Sequence, residues 1–492
     1  NSCPDSPASL FEYQLGYQFV IEEWPGLEWI LNTINHETTR LTSITKYGWN
    51  AQGQKVALPS TTFTYGSYNQ ANDTTDPADG GYFGGKLKYP RLLTVNNGYG
   101  GQVTFTYDPP IGLNGVYSYR VKHKDTSDGL GHTARTTYTY TDPCFSRLAS
   151  GSNCRRSALE DATYALIGHG TTTVAVYNYD SALLNKTTHT FITAATVNRG
   201  KTSRTQVYNP SNQLLQQQET TWGITSFGPP AYAVDVGYVA QTLATDYTGS
   251  PAATTRTTYS YDMYGNVKAE NQHGDMAVSG DERMVWYWYY NIDTAISDGK
   301  WFIGLKWAEN VYQSLTASES TLKTQTLWYY DDLSYNIDNF SAAVPPAVTI
   351  TQGALTMVGR GKWSESATPG RFVLTKYAYD NWGNVTSEID PNNNTTTTNY
   401  ETTYRQFPTW VRRHTGTQYL YSYTRYYGNA NYPINEEVRS DDYGLFGQVQ
   451  KTYDSNGESA TRTYYVYDAF GRLVKEVRPG DSFTYPTVKY LY

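Results

Sequence analysis

Few residues in this sequence stand in the arrangements that catalysis usually requires. The seven histidines form no His-x-His pair and no His-Glu-x-x-His motif, which are common zinc-binding patterns. No Gly-x-Ser-x-Gly nucleophile turn and no phosphate-binding P-loop is present. His169 lies between two glycines, and this turn-like setting predicts a solvated loop residue and not a general base. We therefore expect a protein that is not an enzyme and that has no catalytic residues, no cofactor and no metal ion.

Paired carboxylates could hydrolyse a glycosidic bond, because that reaction needs two carboxyl groups at a defined separation. Adjacent acidic residues occur at Glu22-Glu23, Asp331-Asp332, Glu436-Glu437 and Asp441-Asp442. In a chain with 45 acidic residues such pairs arise by chance, and solvated surfaces are the better interpretation. The oxygen-rich segment 390–394 lacks the ligand spacing of a calcium-binding EF-hand loop, so we interpret it as a turn. A carbohydrate-active enzyme thus ranks last among the functions considered.

An aromatic run at residues 286–289 is the best candidate for a binding surface. Strand alternation places Trp286 and Trp288 on one face and Tyr287 and Tyr289 on the other. Exposed tryptophans could stack on sugar rings, so Trp286 and Trp288 form a candidate aromatic binding surface. The alternative is that both faces are covered, and this alternative is favoured because tryptophan buries a large apolar area wherever it can.

The chain has three cysteines, at positions 3, 144 and 154. Cys144 and Cys154 flank a turn-rich segment. They form either a loop-closing disulfide, as in an oxidising compartment, or two free thiols in a surface loop. No histidine stands at ligand spacing beside them, which argues against a metal site.

Composition limits the class of protein that could position these residues. Of the 492 residues, 39% are hydrophobic and 17% are charged, which is unlike a charged disordered tail. The net charge is −7 and the basic residues form no stripe, so we expect no nucleic-acid partner. No run approaches the roughly 18 apolar residues of a membrane span. The 48 tyrosines and the abundant threonines favour β-strands, and 41 glycines and 21 prolines punctuate them at short intervals.

The sequence predicts a succession of antiparallel hairpins. Residues 41–47 and 58–65 are rich in strand-forming residues and enclose a polar turn, and Asn97-Gly98 is a strong hairpin signal. We expect an irregular N-terminal segment at 1–35 and one repetitive β-segment at 36–492. A longer irregular insertion is expected at about 277–360.

One sequence motif, Tyr-Asp-x-x-Gly-[Arg/Asn]-[Leu/Val], occurs three times in the chain. Each copy predicts a strand, a tight turn and a second strand, in which the aspartate caps the turn and the glycine supplies a positive φ. An internal repeat of this kind indicates a repetitive architecture. The residues expected to be structural in the three copies are Tyr261, Asp262 and Gly265; Tyr379, Asp380 and Gly383; and Tyr467, Asp468 and Gly471.

The repeated phrase resembles the tyrosine-aspartate (YD) repeat of the Rhs family. That family includes the B and C components of insecticidal toxin complexes, wall-associated bacterial proteins and teneurins. Residues 41–44 and 407–411 also resemble segments of toxin-complex B-like chains. The resemblance implies an all-β fold in which a long sheet spirals into a hollow shell. The family's shell plug, with its self-cleaving aspartate, has no match in this sequence, so no catalytic role is carried over.

The resemblance also implies a function. We expect a structural shell segment of a secreted or cell-surface protein that encapsulates or displays a C-terminal, toxin-like cargo. Its partners would be the rest of the same polypeptide or the enclosed cargo. The alternative is an extracellular adhesin or a self-assembling surface or filament protein, whose partners would be copies of itself or surface glycans. Because the sequence starts at Asn1 and ends within a strand-like stretch, we expect a fragment of a larger protein.

Overall fold

The computed structural model describes residues 11–22, 36–50, 54–67, 90–109, 111–113, 116–147, 164–194, 196–227, 234–293, 301–318, 320–331, 350–362, 372–428 and 444–492. Most of these residues lie in antiparallel β-strands, and the described part contains one short helix, α1 (Glu458–Thr461). The predicted all-β fold of successive antiparallel hairpins is confirmed. No helix in the described ranges has the length and apolar character needed to cross a bilayer.

Thirty strands are described. The first fifteen are β1 (Glu12–Glu22), β2 (His36–Trp49), β3 (Lys55–Ala57), β4 (Thr61–Ser67), β5 (Pro90–Asn96), β6 (Gln102–Tyr107), β7 (Ile111–Leu113), β8 (Val116–Ser118), β9 (Val121–Ser127), β10 (Thr133–Arg147), β11 (Tyr164–Tyr177), β12 (Leu183–Phe191), β13 (Thr202–Tyr208), β14 (Leu214–Phe227) and β15 (Val234–Asp246). The others are β16 (Ala253–Tyr261), β17 (Val267–Asp275), β18 (Arg283–Asp293), β19 (Trp301–Tyr312), β20 (Leu322–Tyr330), β21 (Leu355–Lys362), β22 (Val373–Tyr379), β23 (Val385–Ile389), β24 (Thr395–Tyr400), β25 (Pro408–His414), β26 (Tyr419–Tyr426), β27 (Val449–Asp454), β28 (Thr463–Tyr467), β29 (Leu473–Val477) and β30 (Val488–Lys489).

Twenty-eight of these strands belong to one hydrogen-bonded sheet, and β7 and β8 form a separate pair. The chain divides into two compact units. We call residues 14–45 and 59–284 the N-terminal unit, and residues 1–13, 46–58 and 285–492 the C-terminal unit. The described part of segment 1–35, which was expected to be irregular, contains β1.

The N-terminal unit is a meander in which each strand from β9 to β17 pairs with the next one along the chain. Polar side chains add to the backbone pairing of its strands, because threonine and glutamine lie opposite one another on neighbouring strands. The hydrogen-bonded pairs of this kind are Thr64–Thr94 at 2.6 Å, Thr173–Thr188 at 3.1 Å, Gln206–Gln217 at 2.7 Å and Thr245–Thr254 at 3.0 Å.

The C-terminal unit contains the same meander from β19 to β30. It also contains a cluster of buried side chains, which we call the core cluster. Its members are Tyr290, Trp307, Ala308, Leu327, Tyr329, Tyr330, Ile350 and Met357. Most of them lie on β18 to β21, in the region 277–360 that was expected to be an irregular insertion. The described part of that region supplies long, aromatic strands to the sheet.

Candidate functional site

The first copy of the repeat builds a compact turn between β16 and β17. The N–H of Asp262 donates to the carbonyl of Asn266 at 2.9 Å, and the N–H of Gly265 donates to the carbonyl of Asp262 at 3.2 Å. Gly265 has a φ of +87°. This pattern is a β-turn followed by a residue in the left-handed region, where glycine carries no steric penalty.

The carboxylate of Asp262 holds this turn together. Its Oδ1 atom accepts the N–H groups of Tyr264 and Asn266, both at 2.9 Å. Its Oδ2 atom accepts the side-chain Nδ2 of Asn266 at 3.0 Å. Aspartate suits this position because a short side-chain acceptor can reach the N–H groups that the turn leaves unpaired. The carboxylate therefore has a structural role.

The other two copies repeat this arrangement. Asp380 and Asp468 each accept two backbone N–H bonds at 2.9 Å, and their glycines, Gly383 and Gly471, have φ of +86° and +77°. The residue after the glycine donates to Oδ2 in each case, from Asn384 Nδ2 at 2.9 Å and from Arg472 Nε at 2.6 Å. The repeat accepts asparagine or arginine at this position because both side chains can make that bond. In the second copy, the bond from Asn384 and the backbone N–H bonds hold the pKa of Asp380 below its usual range.

The same turn also forms at places where the sequence differs from the repeat motif. Asp390 accepts the N–H groups of Asn392 and Asn394 at 2.8 Å, and Asn393 takes the glycine position with a φ of +64°. In another turn, Asn212 takes that position with a φ of +60°. Asparagine tolerates the left-handed region better than most residues. The oxygen-rich segment 390–394 is therefore a turn of the repeat type.

The tyrosine that opens each copy forms a longer-range bond, since its hydroxyl donates to a backbone carbonyl of the preceding strand. The described residues contain ten such bonds: Tyr65 to Leu41, Tyr107 to Leu92, Tyr140 to Val121, Tyr261 to Val239, Tyr330 to Lys306, Tyr379 to Leu355, Tyr400 to Val385, Tyr426 to Pro408, Tyr467 to Val449 and Tyr492 to Leu473. The distances run from 2.7 Å at Tyr379 to 3.3 Å at Tyr400. We call this set the tyrosine ladder.

The ladder is continuous through most of the C-terminal unit. Tyr379 is paired with Val385 immediately after a β-bulge, and the carbonyl of Val385 accepts the hydroxyl of Tyr400. Tyr400 is in turn paired after a bulge with Pro408, whose carbonyl accepts the hydroxyl of Tyr426. The residue opposite one ladder tyrosine thus provides the acceptor for the next. These tyrosines end β20, β22, β24, β26 and β28, so every second strand carries one.

Burial raises the pKa of several ladder tyrosines above its ordinary value. Burial raises the pKa of Tyr330 to about 12, and burial together with Tyr465 and Glu476 raises the pKa of Tyr467 to about 12. Burial is also the main cause that raises the pKa of Tyr379 and Tyr426. A neutral phenol retains its proton and therefore its hydrogen bond.

The two tryptophans proposed as an aromatic surface lie on β18, half-buried on the same side of the strand. Their ring centroids are 5.9 Å apart. The ring of Trp288 also lies 5.9 Å from the ring of Trp307, and Trp288 packs against the core cluster. Tyr287 and Tyr289 lie beside each other with ring centroids 6.5 Å apart, as strand alternation requires. The packing of Trp288 gives it a structural role.

Cys144 is buried, with 2% of its surface exposed, and it is disulfide-bonded. It lies on β10 opposite Gly168 of β11, next to a shift in strand register. Cys154, the expected partner, lies outside the described residues.

Two carboxylates organise loops that the sequence patterns did not single out. Asp331 accepts four backbone N–H groups from residues 351–354 at 2.6 to 3.0 Å. Glu401 is buried and accepts the N–H groups of Thr403 and Tyr404 at 2.6 and 2.7 Å. The acidic pair at 331–332 was expected to mark a solvated surface; Asp331 is half-buried, and the backbone of a distant loop folds around its carboxylate. No sequence signal marks this contact, since its donors are backbone groups.

His169 is also placed differently from the prediction of a solvated loop residue. It lies within β11, opposite Pro143 of β10, and its ring centroid is 5.0 Å from that of Tyr140. Burial, assisted by the nearby charge of Arg120, lowers the pKa of His169. Within the described ranges, no three His, Cys, Asp or Glu side chains lie close enough together to hold a metal ion.

No family model matches this sequence, and no curated protein matches it. Solved structures match it through their fold. The crystal structure of TcdB2-TccC3-Cdc42 aligns over 79% of this chain with a TM-score of 0.56 and 9% sequence identity. That of TcdB2-TccC3-TEV aligns over 89% with a TM-score of 0.55 and 10% identity. The Photorhabdus luminescens Tc holotoxin pore, with a mutation in TccC3, aligns over 80% with a TM-score of 0.54 and 9% identity.

This chain spans about a quarter of the length of the solved chains that it matches, at 24%, 28% and 24% respectively. At such low identity the match concerns the fold alone. The chain therefore has the fold of the TcdB2-TccC3 toxin-complex structures, and the predicted resemblance to the Rhs/YD-repeat proteins is confirmed at the level of the fold.

Proposed function

We propose that this chain is a structural segment of a hollow β-sheet shell that encloses a C-terminal, toxin-like cargo of the same polypeptide. The observation that carries the proposal is the fold shared with TcdB2-TccC3 over 79% to 89% of this chain. In this proposal the segment does no chemistry of its own, and it belongs to a secreted or cell-surface protein. Residues 1–35 lead into the shell and residues 36–492 form part of its wall.

The chemistry of the repeats supports a structural role. The carboxylates of Asp262, Asp380 and Asp468 accept turn N–H groups, and the hydroxyls of the ladder tyrosines bond to neighbouring strands. A wall one sheet thick buries few side chains, so such polar bonds must hold its hairpins in register. The repeated aspartates and tyrosines therefore stabilise the sheet.

The test uses the full-length protein, including the segments that flank this chain. Limited proteolysis is followed at the C-terminal region in the wild type and in a Gly383→Val/Gly471→Val variant, whose repeat turns are strained. We expect the C-terminal region to resist cleavage in the wild type and to be cut rapidly in the variant. The same C-terminal region expressed alone serves as the control and must be cut readily. Equal cleavage of that region with and without intact repeats would refute enclosure.

A further inference from the structure

Six hairpin tips of the N-terminal unit lie side by side in a row at one end of its strands. In a meander, successive connections alternate between the two edges, so every second connection returns to the same edge. The six tips follow β5, β9, β11, β13, β15 and β17, and they are residues 97–101, 128–132, 178–182, 209–213, 246–252 and 275–282. They belong to eleven consecutively paired strands, which lie about 4.8 Å apart, so the row is about 50 Å long.

The tips near the start of this row are in contact. Gly129 lies so close to Gly100 of the preceding tip that a Cβ atom on Gly129 would come to 2.5 Å from the Gly100 carbonyl oxygen. The ring of His132 lies 4.9 Å from the ring of Tyr179 on the third tip. These three tips therefore form one surface.

Hydrogen bonds connect the remaining tips to their neighbours. Lys186, on the strand after the third tip, donates to Asn212 of the fourth tip at 2.7 Å. The N–H of Tyr247 on the fifth tip donates at 2.8 Å to the carbonyl of Leu215, which follows the fourth tip. The N–H of Met276 on the sixth tip donates at 2.8 Å to the carbonyl of Thr254, which follows the fifth tip. The row is thus continuous, and we call it the acidic rim.

Large apolar side chains project from the acidic rim. Leu130 is 82% exposed and Tyr99 is 63% exposed. Tyr179, Tyr247, Met276 and Val278 are exposed as well. Single exposed apolar residues are ordinary, but a row of them along one edge is typical of an interaction surface.

Negative charge predominates on these tips, although Nζ of Lys186 lies at the fourth tip through its bond to Asn212. The six segments contain six carboxylates and no lysine or arginine. The carboxylates belong to Asp128, Asp180, Asp246, Asp275, Asp281 and Glu282. Several of them accept bonds from nearby backbone N–H groups, as Asp128 does from Leu130 at 2.7 Å, and the other oxygen of Asp128 lies 2.8 Å from Nδ1 of His132. A partner that fits this surface must supply positive charge next to apolar area.

We propose that the acidic rim docks a protein segment that presents lysine or arginine beside apolar side chains. A second copy docked rim against rim would be repelled, and so would anionic lipid, so neither of these arrangements fits the charge pattern. The proposal rests on the N-terminal unit alone and does not depend on whether the chain encloses a cargo.

The test measures binding of two labelled synthetic peptides of equal length to the intact chain by fluorescence anisotropy. One peptide combines leucine with lysine and the other combines leucine with glutamate. We expect the lysine peptide to bind, with an affinity that falls as salt is added, and the glutamate peptide not to bind. A Leu130→Ser/Tyr179→Ser/Val278→Ser variant should weaken binding of the lysine peptide by about tenfold or more.

Two further variants define the site. Asp180→Asn/Asp246→Asn removes charge while keeping side-chain acceptors, and it should also weaken binding of the lysine peptide. Ile224→Ser/Val236→Ser removes two exposed apolar side chains on β14 and β15, away from the rim, and should leave binding unchanged. Circular dichroism verifies that each variant is folded.

Several outcomes would overturn the proposal. Equal binding of the lysine peptide to the rim variant and to the Ile224→Ser/Val236→Ser control would show that the rim is not the site. Rim-dependent dimerisation of the wild type in sedimentation velocity would make a second copy the occupant. Rim-dependent binding to phosphatidylserine-containing vesicles, without peptide binding, would make the occupant a lipid surface.

Discussion

The hydroxyl of Tyr379 donates to the backbone carbonyl of Leu355 across 2.7 Å. Leu355 is itself paired with Tyr330, which donates to the carbonyl of Lys306 on the strand before. Leu355 thus connects two successive bonds of the tyrosine ladder, because it accepts the bond from Tyr379 and is paired with Tyr330. The relationship is repeated along the C-terminal unit, and it ties each hairpin to its predecessor by a bond that strand pairing alone does not provide.

Removal of one ladder hydroxyl should have a measurable effect on stability. Tyr379→Phe keeps the ring and deletes the bond to Leu355, so we expect the free energy of unfolding to fall by about 1 kcal/mol. Urea unfolding followed by circular dichroism measures this change. Tyr377→Phe, two residues earlier on the same strand and outside the ladder, is the matched control. A loss as large in the control would show that the ladder bond contributes nothing specific.

Substitutions at two repeat glycines can distinguish the destabilisation caused by backbone strain from the destabilisation caused by steric crowding. A Cβ atom on Gly383 would meet nothing within 4 Å, whereas one on Gly471 would come to 3.0 Å from Gln448 and 3.1 Å from Leu445. Both have a positive φ. We expect Gly383→Ala to cost about 1 kcal/mol from the backbone alone and Gly471→Ala to cost more. Thermal unfolding of both variants gives the order, and a smaller loss for Gly471→Ala would contradict this account.

The aspartate of the repeat should be replaceable by asparagine but not by alanine. Asp262→Ala removes three acceptor contacts, and we expect it to lower the free energy of unfolding by about 1–2 kcal/mol. Asp262→Asn keeps an acceptor for the two backbone N–H groups. Asn209 already accepts the N–H of Gln213 in this way at 2.9 Å. Melting temperatures of the two variants test the difference, and equal losses would show that the acceptor does not hold the turn.

Asp331 should make the loop at 350–354 sensitive to acid. Burial acts to raise the pKa of this carboxyl, but the four backbone N–H bonds outweigh burial and hold the pKa below 3.8. A lowered folded-state pKa gives stability that is present above the unfolded-state pKa and is lost as the pH falls through the folded-state value. Amide hydrogen exchange of residues 351–354 at decreasing pH, after correction for the intrinsic exchange rate, measures the loss.

Asp331→Asn provides the control for that experiment. It removes the ionisable group, so local protection should be weaker near neutral pH and should no longer change with acidity. Unchanged acid sensitivity in Asp331→Asn would assign the effect to another carboxylate.

Trp288 offers a way to distinguish packing from glycan binding. Because its ring packs against the core cluster, we expect Trp288→Ala to lower the free energy of unfolding by about 3 kcal/mol. Chemical denaturation measures this loss, and a glycan array measures any binding. A variant with unchanged stability that loses binding to a glycan would instead identify an aromatic ligand surface.

The hairpins and their turns could be predicted because their determinants are local. In the three full copies, the aspartate, the glycine and the donor after it all lie within five residues. The degenerate turn at 390–394 was harder to assign to the repeat, because Asn393 replaces the glycine and the aspartate resembles a cation ligand.

The ladder and the Asp331 loop could not be predicted because their partners are backbone groups far along the chain. The carbonyl of Leu355 has no side-chain signature, and neither do the N–H groups that surround the carboxylate of Asp331. The one available signal was the recurrence of tyrosine at strand ends such as Tyr65 and Tyr107. The aromatic run at 286–289 was interpreted as a strand, but its packing could not be predicted, because the ring of Trp307 that contacts Trp288 comes from a different strand.

The placement of the ladder on alternate strands imposes a parity rule on this sheet. A hairpin that carries a ladder tyrosine contributes two strands, one ladder donor and one ladder acceptor, whatever the length of its loops. Insertion or deletion of a whole hairpin therefore leaves every remaining tyrosine at the correct edge. Insertion of a single strand would reverse the direction of all later strands. Their tyrosines would then lie on the side of the sheet where the strands have their other ends. A sheet built in this way can change length only by pairs of strands, while its loops are free to vary.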